Sequence, residues 1–173
     1  IRVCALFAWV LNPAFKGKSV LIESLVYPFE KTGCLDAFWG KLDAGQDAVL
    51  GVASSARPFM VAARFAHRPQ PTLVVVAGED AALSFARNVA AYLGEDRVLR
   101  FPERTDYPFE VKPQNAKKAA ESAKLAARRM EAAYALHEGK DVVVVASARA
   151  LLRMLPPAES DVCVPLVFQT GVE

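Results

Sequence analysis

Apolar positions along the chain switch between the three-to-four spacing of helices and the unbroken runs of buried strands. In "SVLIESLVYPFEKTGCLDAFWGKLDAG" they fall at Leu21, Leu25, Phe29, Leu35, Phe38, Trp39 and Leu42, and the second half predicts a helix closed by Gly45. "AVLGV" (48–52) predicts a short strand, and "ASSARPF" a turn into a helix. Pro58 suits the first turn of that helix, where its missing N–H costs nothing. The helix is expected to run to about Ala66, before "HRPQP" breaks it. "TLVVVAG" is the kind of run that is buried on both faces of a parallel sheet. "EDAALSFARNVAAYLG" reads as a helix with Glu79 and Asp80 at its positive end and Gly94 as its stop. "RVLRFP" predicts a strand, and "PERTDYPFEVKPQN" is a proline-rich loop. "NAKKAAESAKLAARRMEAAYALHEG" is the clearest helix, with Asn115 as N-cap and Gly139 past its end. "DVVVVASA" predicts a second strand buried on both faces, and "SARALLRMLPP" a short helix stopped by two prolines.

This rhythm predicts an α/β domain over residues 20–158, built on a doubly wound, mostly parallel sheet. Residues 1–19 stand apart as a leader. Residues 159–173, strand-like from Val162 to Phe168, read as the start of a following small domain. The leader's apolar run, about 11 residues, falls short of the ~20 that a membrane helix needs. It lacks a small-residue cleavage site, which disfavours a secretory signal. The chain opens on Ile, so its natural start is expected to lie upstream.

Composition narrows the chemistry. A chain of 173 residues, 53% hydrophobic and 23% charged, suits one or at most two compact domains. A net charge of +2 is too mild to demand nucleic acid or an anionic membrane as partner. Cys4, Cys34 and Cys163 are far apart without zinc-ligand spacing, so a reduced, cytoplasmic protein is expected, with neither metal nor cofactor. His67 and His137 are the two histidines, too few for an obvious histidine-based centre.

The stretch "GVASSARPF" has the order of a phosphate-binding loop, GxxxxGK[ST], with only the first glycine, Gly51, in place. Ala56 replaces the second glycine, Arg57 the lysine and Pro58 the hydroxyl residue that holds magnesium. Pro58 also has no N–H for a phosphate. ATP hydrolysis is not expected here. Gly51, Ser54, Ser55 and Arg57 can still form an anion site at a helix start, or the turn is merely structural. No predicted strand ends in the acidic pair that would complete an ATPase; "DVVVVASA" offers Ala146 and Ser147 there.

On the long helix the apolar stripe is read as Ala119, Ala123, Ala126, Met130, Ala133 and His137. Lys117, Lys118, Lys124, Arg128 and Arg129 then face outward. Lys117, Lys124 and Arg128 are candidates for a nucleic-acid or partner contact, with Tyr107 and Phe109 as loop aromatics that can stack a base or cover the sheet edge. A solvated face, diluted by Glu121 and Glu131, is the plainer reading.

Taken together in their order, "GVASSARPF", "TLVVVAGEDAALSFARNVAAYLG", "RFPERTDYPFE" and "DVVVVASARALLRMLPP" resemble the amino-terminal module of the bacterial transcription-repair coupling factor. That module is similar to the first domain of the excinuclease component UvrB, a helicase relative. The resemblance covers about residues 33–173 and implies a P-loop NTPase-like fold with a degenerate nucleotide loop and no ATPase of its own. It implies a scaffold whose partners are the excinuclease component UvrA, the rest of its own chain and, through the whole protein, RNA polymerase and DNA. The ATP-driven translocase lies downstream in that family. The usual UvrA contacts would mostly fall beyond residue 173. A short loop at 102–115 stands where UvrB carries its long DNA-gripping hairpin, so no such clamp is expected. The alternatives left open are a divergent nucleotide-binding domain and a DNA-binding domain.

Overall fold

In the computed structural model, which describes residues 20–104 and 116–152, two helices come first: α1 (Val20–Thr32) and α2 (Asp36–Asp43). Gly45 closes α2 as its position predicts. The Gln46 N–H bonds Lys41 O at 2.9 Å and the Gly45 N–H bonds Leu42 O at 3.1 Å, the paired bonds of a glycine-terminated helix. One turn of 3₁₀ helix, Ser54–Ala56, leads into α3 (Arg57–His67), with Pro58 buried in its first turn. Then follow β1 (Thr72–Val76), α4 (Glu79–Leu93), β2 (Val98–Phe101) and α5 (Ala116–His137). The series ends with β3 (Val143–Ser147) and the one-turn helix α6 (Ala148–Leu151). Gly139 closes α5 with the same pair of bonds, Lys140 N–H to Ala135 O at 2.9 Å and Gly139 N–H to Leu136 O at 3.1 Å.

The strands are parallel and ordered β1-β3-β2, with Thr72 and Val98 both opposite Val143. β3 is central, and all five of its side chains are buried, as an unbroken apolar run requires. Its alternate residues serve two cores. Val143 and Val145 meet Ala82, Ala86, Val89 and Leu93 of α4, behind which lie Phe65 of α3 and Ile22 and Val26 of α1. Val144 and Ala146 face the other way, with Phe101 of β2, onto Ala132 and Ala135 of α5 and Ala150 of α6. Each fully buried valine contributes about 1.5–3 kcal/mol relative to exposure. The α/β arrangement read from the pattern is therefore present as a small, three-stranded parallel sheet with helices on both faces.

Three readings need correction. Residues 46–53 form neither helix nor strand, and Val49 is 98% exposed. The "AVLGV" run has strand composition, but a strand exists only by pairing, and no described strand pairs with it. β1 has the apolar run of a central strand but sits at the sheet edge, leaving Leu73 46% and Val75 51% exposed. They share the face of Val144 and Ala146, where α5 lies over β2 on the far side of β3. The buried stripe of α5 also differs from the one its alanines suggest. Ala119, Ala123 and Ala126 are exposed, while Arg129, Ala132 and Ala135 are buried. Residues 1–19 and 159–173, the expected leader and following unit, lie outside the described residues.

Candidate functional site

The loop read as a vestigial phosphate cradle is an open turn. Gly51, Ser54, Ser55 and Arg57 are all exposed. Gly51 has no positive φ, and nothing lies within 4 Å of where a Cβ would stand, so its backbone needs no glycine. Ala53 is extended at φ −56°, ψ 145°, and Ala56 is near-helical at φ −85°, ψ −15°. A phosphate loop needs a strand to deliver it and backbone N–H groups wrapped inward. The strand is not formed here, and the 3₁₀ turn directs the Ala56 N–H to Ala53 O at 2.9 Å.

The fold itself points elsewhere. β1 leads into α4 on one face of the sheet, and β3 leads into α6 on the other. Chains that part in this way at the carboxyl ends of neighbouring strands leave a crevice, the usual ligand site of open α/β sheets. Here the polar groups at that end bond to one another. Glu79, the first residue of α4, accepts from Arg100 Nη2 and, at 3.3 Å, from the Glu103 N–H. Ser147 Oγ donates to Glu103 Oε1 at 2.8 Å and accepts the Ala150 N–H at 3.1 Å, capping α6. Arg129 Nη1 donates to Pro102 O at 2.6 Å and to Ala150 O at 3.4 Å.

A serine against a carboxylate is the pairing that activates a nucleophile. Ser147 is fully buried, however, with its hydroxyl donated to Glu103 and its oxygen accepting the Ala150 N–H, so it is not accessible to a substrate. The glutamates and arginines likewise tie the start of α4, the ends of β2 and β3, and α5 and α6 to one another at the mouth of the crevice. The arrangement locks strand ends together.

The basic candidates on α5 lie elsewhere. Lys117, Lys118, Lys124 and Arg128 are exposed, with exposed Glu121 in the same row, on the opposite face of the sheet from the turn at Ser54–Arg57. The two sets of candidates therefore do not form one site. Tyr107 and Phe109 lie outside the described residues. Among the described residues no three His, Cys, Asp or Glu side chains gather as metal ligands. Arg129, Glu103 and the Glu79–Arg100 pair form a constellation that the sequence reading does not find. The available signal is the spacing of Leu125, Ala132 and Leu136, which puts Arg129 on the same helix face, turned to the sheet.

No helix among the described residues is long and apolar enough to cross a membrane. Comparisons with protein-family models, with curated proteins and with solved structures returned no match.

Proposed function

We propose that the chain is a non-catalytic scaffold and interaction module at the front of a bacterial transcription-repair coupling factor, with a degenerate nucleotide loop and a P-loop-like fold. What supports this reading is the ordered set of motifs from "GVASSARPF" to "DVVVVASARALLRMLPP", together with the order β1-β3-β2 of a parallel sheet. The observation that carries the scaffold role is the closed crevice. Glu79, Arg100, Glu103 and Ser147 bond to one another where such a sheet would otherwise hold a ligand. Under this reading the module works in the cytoplasm. It holds the rest of its polypeptide and, with the small domain that follows, presents a surface to UvrA, while RNA polymerase and DNA are engaged by the downstream motor.

The test is a chimera. Joined in front of a coupling-factor motor stripped of its own amino-terminal module, the chain is expected to restore recruitment of UvrA to a stalled RNA polymerase. A well-folded chimera that moves polymerase yet recruits nothing would refute the proposal. Calorimetry with Mg·ATP separates the nucleotide-binding alternative, since the scaffold reading gives no binding heat at sub-millimolar nucleotide. Converting the loop with Ala56→Gly, Arg57→Lys and Pro58→Thr leaves hydrolysis undetectable, because the strand ahead of it is not formed and the acidic partners are missing. The exposed Lys117, Lys124 and Arg128 favour a DNA contact as second reading. It predicts a salt-dependent shift of duplex mobility that is lost in the Lys124→Ala, Arg128→Ala double variant.

A further inference from the structure

The outer edge of β2 faces no strand among the described residues, and beside it α4 and α5 leave an open groove of about 910 Å³. Its floor is apolar and low, because Ala86, Ala90 and Ala91 of α4 are too small to cover Val98, while Leu99 turns to the α5 side. Such an edge offers backbone N–H and C=O groups to another strand. The rims carry four exposed charges, Arg87 and Glu95 on one side and Arg128 and Glu131 on the other. None of the four has an ion-pair partner among the described residues.

The order of these charges selects the occupant. α4 starts at the carboxyl end of β2, where Glu79 meets Arg100, and Glu95 follows its last turn just before β2 begins. Arg87 therefore lies toward the carboxyl end of β2, and Glu95 toward its amino end. α5 also runs against the strands: Arg129 reaches Pro102 O beyond the end of β2, and Gly139 leads back to the start of β3. Arg128 again lies toward the carboxyl end, with Glu131 one turn nearer the amino end. On both rims the positive charge is at one end of the groove and the negative charge at the other.

We propose that this groove is a self-association surface, in which a second copy lays its own Val98–Phe101 strand antiparallel beside the first. A two-fold axis normal to the sheet keeps α4 beside α4 and α5 beside α5 while reversing their direction. Each Arg87 then comes to the Glu95 end of the second copy, and each Arg128 to the Glu131 end. The two parallel sheets join through one antiparallel step, and the unpaired edge is removed. An acidic or a basic peptide would satisfy only half of these charges, which is why a copy of the same chain fits best.

Sedimentation of the full 173-residue chain from micromolar to millimolar concentration is expected to show a rise from 18.8 kDa toward twice that mass. Arg87→Glu and Glu95→Arg each place like charges together twice per dimer and are expected to weaken association at least tenfold. An equimolar mixture of the two variants restores both attractions and is expected to recover the dimer, with each variant melting like the parent. A parent chain that stays monomeric to millimolar concentration overturns the proposal. So does association that the charge exchange leaves unchanged, or a mixture that fails to recover it.

Discussion

The guanidinium of Arg129 lies 3.9 Å from the centroid of the Phe101 ring, and its Nη1 donates to the carbonyl of the next residue, Pro102. A basic side chain that the alanine stripe of α5 places on the solvent face is thus the buried pin between α5 and the end of β2. Arg129→Ala exposes the Phe101 ring and leaves the buried Pro102 carbonyl without this donor. The expected cost is about 2–4 kcal/mol, from the lost charge-assisted bond, the ring contact and the unmet acceptor. Arg129→Lys is expected to recover less than half of it, since a point charge cannot bond a carbonyl and lie flat on a ring together. Urea unfolding checks both: the midpoint falls in each variant while the slope stays constant.

The partnership of Ser147 with Glu103 makes a different prediction. Ser147→Ala loses the α6 cap and the bond to Glu103, an expected cost of about 1–2 kcal/mol. Glu103→Ala loses only the second of these and is expected to cost less. The double variant should fall short of the sum by about 0.5–1 kcal/mol, as residues sharing one bond do. A fluorophosphonate probe is expected to leave Ser147 unlabelled in the folded chain. Labelling there would show that the hydroxyl is accessible and activated.

How far the sequence announces these features depends on how local each one is. Gly45 and Gly139 end their helices where the pattern puts them, because a helix cap is decided within a few residues. "TLVVV" and "VVVAS" look alike, yet one is an edge strand and the other central, because the number of neighbours a strand has is not written in its own residues. "AVLGV" fails as a strand for the same reason. On α5 the alanines fall on every side of the helix, so small residues alone do not mark the buried face, and Arg129 is read outward. The ring of bonds at the strand ends spans separations such as that of Ser147 from Glu103, 44 residues, which no periodicity can register.

Two glycines that look equally important in sequence are expected to behave oppositely. Gly94 ends α4 at φ +94°, ψ 155°, a region nearly exclusive to glycine, and an added Cβ would stand 2.7 Å from Asp96 Oδ1. Gly94→Ala is expected to destabilise by about 1–3 kcal/mol. Gly51, the one surviving glycine of the phosphate-loop pattern, has open space around it and no positive φ. Gly51→Ala is expected to be neutral or to stabilise by up to about 1 kcal/mol, by reducing the freedom of the unfolded chain. Thermal melts of the two variants side by side decide the matter. A large loss at Gly51 would mean that the turn is tighter than an open loop.

Acid sensitivity is expected to centre on Asp43. Its carboxylate accepts from Arg64 Nη2 at 2.6 Å and Arg68 Nη1 at 2.9 Å, tying the end of α2 to the end of α3, while Trp39 stacks on His67 nearby at 6.2 Å between ring centroids. The hydrogen bond from Arg64, then that from Arg68, holds the Asp43 carboxyl below its ordinary value. Because the folded form binds a proton less readily than the unfolded form, the stabilisation is fully present above the unfolded pKa, about 4. It is lost as pH falls from there through the lower folded value. Asp43→Asn removes that dependence, so the stability difference between parent and variant is expected to be constant above about pH 5 and to shrink below about pH 4. Carboxyl chemical shifts report the same group directly, with the Asp43 midpoint expected below about 4, the ordinary value for an aspartate. A midpoint at or above that value, or a stability difference that grows in acid, would show that the two arginines do not hold this carboxylate in solution.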